Sequence, residues 1–184
     1  YKYDAQVRMT SGPDLAEKPL FASWALDDNL VKNSTSGGIG DLLAQELIAE
    51  GYKVAGVVYN DEKVRAEHTI ANTIKETLPF RGSKYIQSDS SNAFAEIAEE
   101  AVKNKEKNYV VFGTPCQIAG FARTAMERGF REQLLLIEIF CHGVPSYHLW
   151  DLQLEKIEKK LNVSHYSLDE VKNRIIELSD KLLK

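Results

Sequence analysis

The sequence predicts an α/β fold: a mainly parallel or mixed sheet flanked by helices, with a helical C-terminal end. The strongest observation is residues 108–146, NYVVFGTPCQIAGFARTAMERGFREQLLLIEIFCHGVPS, which read as strand, helix, strand. The apolar run 109–112 breaks at Gly113; Thr114 is a natural N-cap, Pro115 suits the first helical position, and Gln117 completes a Thr-x-x-Gln capping box. The helix is expected to run to about Arg128 and to stop at Gly129. A second apolar run, 134–140, ends in Cys141-His142-Gly143-Val144-Pro145-Ser146. A right-handed crossover makes these two strands parallel, so both cysteines fall just past the C-terminal ends of strands in one sheet. In an open α/β sheet that edge is where ligands bind. The second observation is that helical and strand patterns also alternate upstream of this unit.

In order along the chain, residues 1–19 carry no clear periodicity and read as an irregular lead-in. Residues 20–26 form a plausible short strand, with Asp27-Asp28-Asn29 as a turn. A Ser/Gly-rich loop, Asn33 to Gly40, then feeds a helix that places Leu43, Leu47 and Ile48 on one face and stops at Gly51. Residues 52–59 and 64–70 read as strands, and 73–78 as a short helix. The segment Arg81-Gly82-Ser83-Lys84-Tyr85-Ile86-Gln87-Ser88 reads as a short strand with a basic, hydroxyl-rich entrance. Ser90 or Ser91 caps a helix to about Lys103, with Phe94, Ile97, Ala98 and Ala101 on one face. After the strand–helix–strand unit, Ser146 caps a helix to about Leu161. Ser167-Leu168-Asp169-Glu170 is a capping box for a last helix over 168–183. Its apolar stripe is expected to dock on the domain or on a partner chain. The organisation expected is therefore a lead-in over 1–19, an α/β domain over 20–161 and a C-terminal docking helix over 162–184.

Composition narrows the functional classes. A chain of 184 residues with 43% hydrophobic and 27% charged residues suits a globular domain with a substantial core. A net charge of -4 gives no reason to expect nucleic acid or an anionic membrane as partner. No run of about 18 apolar residues suggests a membrane span. Two cysteines are too few for a disulfide scaffold, and the context reads as cytoplasmic. The opening Tyr1-Lys2-Tyr3-Asp4 has neither Met nor a signal pattern, so the polypeptide is expected to be trimmed, excised or represented in part.

The candidate chemistry collects at loops and strand ends. Free N–H groups and the dipole at the helix after the Ser34–Gly38 loop suit a phosphate or another anion, although the glycines also serve a tight turn. Lys84 suits an anionic ligand and Tyr85 a ring to stack on; the alternatives are a solvated lysine and a core tyrosine. Cys116 lies near the start of its helix, where the dipole favours thiolate. Thiolates placed like Cys116 and Cys141 ligate a metal or cluster, form a redox disulfide, or act as nucleophiles; buried, they are small hydrophobes. Zinc is disfavoured, because a closed site needs four ligands and His142 adjoins Cys141 instead of standing at ligand spacing. His142 is expected to orient its own loop or to meet a ligand. His68, His148 and His165 read as surface or strand residues without chemical company.

Four motifs occur in a fixed order: Ser34-Thr35-Ser36-Gly37-Gly38-Ile39, residues 82–88 (GSKYIQS), residues 113–120 (GTPCQIAG) and residues 141–146 (CHGVPS). Together they closely resemble the coenzyme F420 hydrogenase/dehydrogenase beta-subunit family, over roughly residues 23–150. The resemblance implies a flavoprotein oxidoreductase carrying FAD and an iron–sulfur cluster, with residues 20–161 as the flavin-binding domain. Electrons would pass between an iron–sulfur centre and a deazaflavin or other hydride-type acceptor. Carried over by motif, Ser34, Thr35, Ser36, Gly37 and Gly38, then Ser83, Lys84 and Tyr85, then Gly113, Thr114 and Pro115, would line the flavin site. Lys84 is the candidate catalytic residue, a positive charge near the flavin or its phosphates. Cys116 and Cys141 match two of the cluster ligands.

One departure qualifies that resemblance. Cluster-bearing relatives supply further ligands from a later Cys-x-x-Cys segment, which this sequence lacks, and two cysteines cannot close a four-thiolate cluster. The expected partner is accordingly a redox subunit or a missing C-terminal segment, together with a deazaflavin or other small electron carrier. The alternative reading is a non-catalytic module of the same fold that binds a nucleotide or a partner. A lesser one is a thiol-redox protein with a reversible Cys116–Cys141 disulfide.

Overall fold

In the computed structural model, which describes residues 22–161, the strand-forming runs assemble into one five-stranded mixed sheet. Its strands are β1 (Lys53–Asn60), β2 (Arg65–Ala71), β3 (Ser88–Asp89), β4 (Tyr109–Gly113) and β5 (Leu134–Glu138), in the spatial order β3-β2-β1-β4-β5. The β1–β2 hairpin is antiparallel, with Asn60 opposite Arg65, whereas β1–β4, β4–β5 and β2–β3 are parallel. From β1 the chain works outward to β2 and β3, then returns to place β4 on the other side of β1. The order thus reverses between β1 and β4, which creates a crevice at the carboxyl end of the sheet.

The helices are α1 (Asp28–Asn33), α2 (Ile39–Ala49), α3 (Ile74–Thr77), α4 (Ser91–Lys103), α5 (Pro115–Arg128) and α6 (Tyr147–Leu161). Alternation along the central strands assigns them to opposite faces. Ala55, Tyr109 and Val111 point to one face, where Ile97, Ala98 and Ala101 of α4 and Ile118, Phe121 and Ala125 of α5 close a continuous core. Val54 and Val110 point to the other, against Ala44, Leu47 and Ile48 of α2 together with Phe80 and Phe112. Leu43, expected on the α2 core face, is instead 39% exposed, and the small Ala44 occupies the buried position.

The local signals around α5 act as the sequence indicates. Thr114 N–H donates to Gln117 Oε1 at 3.1 Å within a capping box, and Gly129 ends the helix with a left-handed φ of 72°. Several other expectations are corrected. Residues 22–26 are not a strand: among the described residues Ala25 N–H donates to Gly37 O without a ladder forming, and Trp24 packs over the Gly37 turn. Asp27 is an N-cap, accepting from Asn29 N–H, so the expected turn is the start of α1. Residues 81–87 also form no strand, because Lys84 curls back onto the preceding turn; pairing is limited to Ser88 and Asp89. At α4, Asp89 Oδ1 accepts from Ser91 N–H, and neither serine hydroxyl caps the helix. The lead-in over 1–19 and the last helix over 168–183 lie outside the described residues.

Candidate functional site

The crevice between β1 and β4 opens into a cleft of about 420 Å³. That size lies within the range of about 300–1,000 Å³ usual for small-molecule sites. Its floor is apolar: Gly56 and Val57 of β1, Phe80, and Phe112 of β4. Gly56 is required here, since a Cβ would stand 2.4 Å from the Phe80 ring. Three loops make the walls: Ser34–Thr35, residues 81–88, and the 139–144 segment that follows β5.

The first wall depends on an unusual backbone. Ser36, Gly37 and Gly38 all have positive φ, at 51°, 75° and 76°. A side chain on Gly38 would collide with Leu30 Cδ2 at 2.4 Å, so the second glycine lets the loop lie flat on α1. Ser34 and Thr35 line the cleft, whereas Ser36, Gly37 and Gly38 shape the loop behind it.

Asp41, in the first turn of α2, ties this wall to the next. Its carboxylate, with only 6% of the side chain exposed, accepts from Ser34 Oγ at 3.1 Å and from Arg81 Nε at 2.6 Å, both at Oδ2. Gln45 Nε2 donates to Oδ1 at 3.1 Å. One buried carboxylate therefore joins two loops across the cleft rim.

Ser83, Lys84 and Tyr85 all line the cleft, and Tyr85 is 82% exposed. Lys84 Nζ donates to the carbonyls of Pro79, Phe80 and Arg81 at 2.8, 3.0 and 2.8 Å. Its donors are thereby engaged in holding the turn, which leaves its charge at the cleft wall. Burial pulls its pKa down from 10.5 to about 8. Gly113 and Thr114 line the cleft at the end of β4, while Pro115 lies outside the lining.

The two thiols are both free and exposed but open onto different hollows. Cys141 and His142 lie on the cleft wall. Cys116 faces a groove between α4 and α5 beside Gly120 and Thr124, with its sulfur 3.2 Å from Thr114 Oγ1. Among the described residues no group of three His, Cys, Asp or Glu side chains gathers as a metal site. The two cysteines thus share a sheet edge without sharing a position.

His68 departs from the sequence expectation. It lies on β2, but it is buried, with Nε2 3.0 Å from Phe112 O and its ring edge-on to Phe94 at 5.1 Å. Burial lowers its pKa, and Nδ1 has no hydrogen-bond partner. His148 is exposed on α6, and His165 lies outside the described residues. The residues that sequence reasoning passed over are Asp41, Gly56, Phe80 and Arg81. The available signal was an acid just inside a helix after a glycine loop, together with a lone glycine in a strand.

Residues 106–184 match the family model for the C terminus of the coenzyme F420 hydrogenase/dehydrogenase beta subunit. No curated protein matches the chain. Among solved structures, a chain of the xenon-derivatised F420-reducing NiFe hydrogenase complex from Methanosarcina barkeri is similar, with a TM-score of 0.59 and 23% identity. The likeness covers 77% of this chain and 49% of that one, so this chain spans about half its length. At this identity the likeness concerns the fold. The motifs at 113–120 and 141–146 lie inside the family match, and those at 34–39 and 82–88 lie before it. The segment carrying α5, β5 and α6 is thus similar to the C terminus of the coenzyme F420 hydrogenase/dehydrogenase beta subunit, and the fold is shared with a chain of that hydrogenase complex.

Proposed function

We propose that the cleft binds FAD and that the chain serves as a beta-subunit-like oxidoreductase component. In this reading it passes electrons between an iron–sulfur centre and a deazaflavin or other hydride-type acceptor. The observation that carries the reading is the cleft itself. An apolar floor at the sheet's reversal point is rimmed by Arg81, Lys84 and the hydroxyls of Ser34 and Thr35. Flat apolar surface for a ring system and cationic donors for phosphates are what a dinucleotide needs.

Bound FAD would supply exchange between hydride and single-electron chemistry. The chain's own residues bind, orient and shield it. Phe80, Phe112 and Val57 offer the ring an environment with little water, and Tyr85 at the mouth is free to stack. Lys84, the candidate catalytic residue, contributes positive charge beside the ring or its phosphates. Ser83, Gly113 and Thr114 complete the walls, with Ser36, Gly37, Gly38 and Pro115 holding the loop and helix that present them.

The cluster is a different matter. Cys116 and Cys141 are two cysteines on separate hollows, which do not fit a closed four-ligand site, and no step is assigned through one. The electron partner therefore supplies the single-electron side, either as another protein or as further chain. The free thiols favour a reducing, cytoplasmic setting, and no described helix is long and apolar enough to cross a membrane.

An ultraviolet–visible spectrum of protein purified without oxygen, with iron quantified and FAD then titrated in, tests the reading. A flavin band that saturates on titration is the expected result. Intact protein with no affinity for FAD defeats it. The separation of the two thiols favours a second reading, a nucleotide-binding module without turnover. Binding of ADP combined with no reducible flavin would select that one.

A further inference from the structure

We propose that Arg81 is the phosphate-recognising residue of the cleft, held in position by Asp41. The inference rests on the reading that the cleft takes a nucleotide, and it assigns the residue on which recognition of the phosphate depends. Among the described residues, two cationic side chains of Lys or Arg type line the cleft, and they are used differently. Lys84 has its ammonium donors on three backbone carbonyls. Arg81 gives only Nε, to Asp41 Oδ2 at 2.6 Å, and among the described residues no hydrogen bond is formed by either Nη. A guanidinium carries five N–H donors, so about four remain available.

The geometry around Asp41 explains why that arrangement is held. The carboxylate is almost fully buried and already accepts from Ser34 and Gln45, so it grips the guanidinium at one edge instead of by its whole fork. The side chain of Arg81 is 26% exposed, partly withdrawn from water yet open to the cleft. A planar fork with free parallel donors matches a phosphate bidentately, which an ammonium cannot do. Because Asp41 already balances the Arg81 charge, recognition depends on directed hydrogen bonds more than on net attraction. A lysine in place of Arg81 would keep the charge and lose the recognition.

The test is calorimetric titration of FAD, ADP and riboflavin into the wild-type protein and the Arg81→Ala and Arg81→Lys variants. Thermal melts run in parallel confirm that each variant is folded. Both substitutions are expected to weaken FAD and ADP by about ten- to hundredfold and to leave riboflavin, which has no phosphate, unchanged. If Arg81→Ala does not fold because Asp41 is left unpaired, Arg81→Lys and the double variant Arg81→Ala/Asp41→Asn carry the same comparison. Equal losses for riboflavin and FAD would make Arg81 a wall residue and overturn the proposal. So would full affinity for ADP in both variants, or a wild-type protein that binds no ADP. Arg81-dependent ADP binding without flavin binding would uphold the proposal and remove the flavin reading. FAD binding indifferent to Arg81 would do the reverse.

Discussion

The two faces of the sheet are built on different principles. The face under α4 and α5 is sealed by side chains at regular helical spacing, with Phe121 stacked on Phe94 at 4.3 Å and near Phe130 at 5.9 Å. The face under α2 is sealed only in part. Towards the carboxyl end of β1 and β4 it gives way to loops held by a few polar contacts: Asp41 to Arg81 and Ser34, and Lys84 to three carbonyls. A core of apolar contacts is dense but chemically mute, whereas loops tied by directed bonds leave space and presented donors. Dense apolar packing therefore concentrates on one face and the open cleft on the other.

The largest effect should come from breaking the sealed face. Phe121→Ala removes a ring that is 4% exposed, and is expected to destabilise the protein by about 3–5 kcal/mol. Urea denaturation measures it, and a loss below about 1 kcal/mol would mean that this core is loosely packed. A smaller effect is expected on the cleft face. Gly56→Ala must displace the Phe80 ring, at about 1–3 kcal/mol by denaturation, together with weaker binding in the cleft. If affinity for FAD and ADP survives unchanged, Phe80 is not the floor of the ligand site.

The smallest effect separates charge from packing through pH. Lys84 is charged below about pH 8 and loses its proton above it, so affinity for FAD or ADP should fall as pH rises through that value. A change of about three- to tenfold is expected for one partly buried charge, and Lys84→Met should flatten the profile. The stability contribution has the opposite sign. Between about 8 and 10.5 the unfolded lysine binds a proton that the folded one does not, so this group makes stability rise with pH over that window. Affinity and stability moving in parallel would show that Lys84 acts through the turn alone.

How much was legible beforehand follows the same division. Thr114, Pro115, Gln117 and Gly129 announce α5 because capping is a matter between residues three or four apart. The apolar runs at 109–112 and 134–140 mark β4 and β5 for an equally local reason, although β5 ends at Glu138, and the crossover rule makes them parallel. The segments that failed are those whose partners are distant. Residues 22–26 have strand-like composition but spend it covering the Gly37 turn. His68 looks like one more strand residue until Phe112 and Phe94 close over it.

The candidate site shows the same limit more sharply. Ser34, Lys84, Tyr85, Gly113 and Cys141 could be nominated from motifs, and all of them line one cleft. Arg81 and Asp41 stand 40 positions apart, and nothing local to either announces the bond between them. Nor does spacing reveal that Cys116 and Cys141, at one sheet edge, open onto different hollows. The sequence by itself determined the strand–helix–strand unit, the fold class and the set of chemical groups at the strand ends, because periodicity, caps and breakers act over a single turn or strand. Only the tertiary structure decided which of those groups face one another and which donors stay free, because packing brings together residues that the chain keeps far apart.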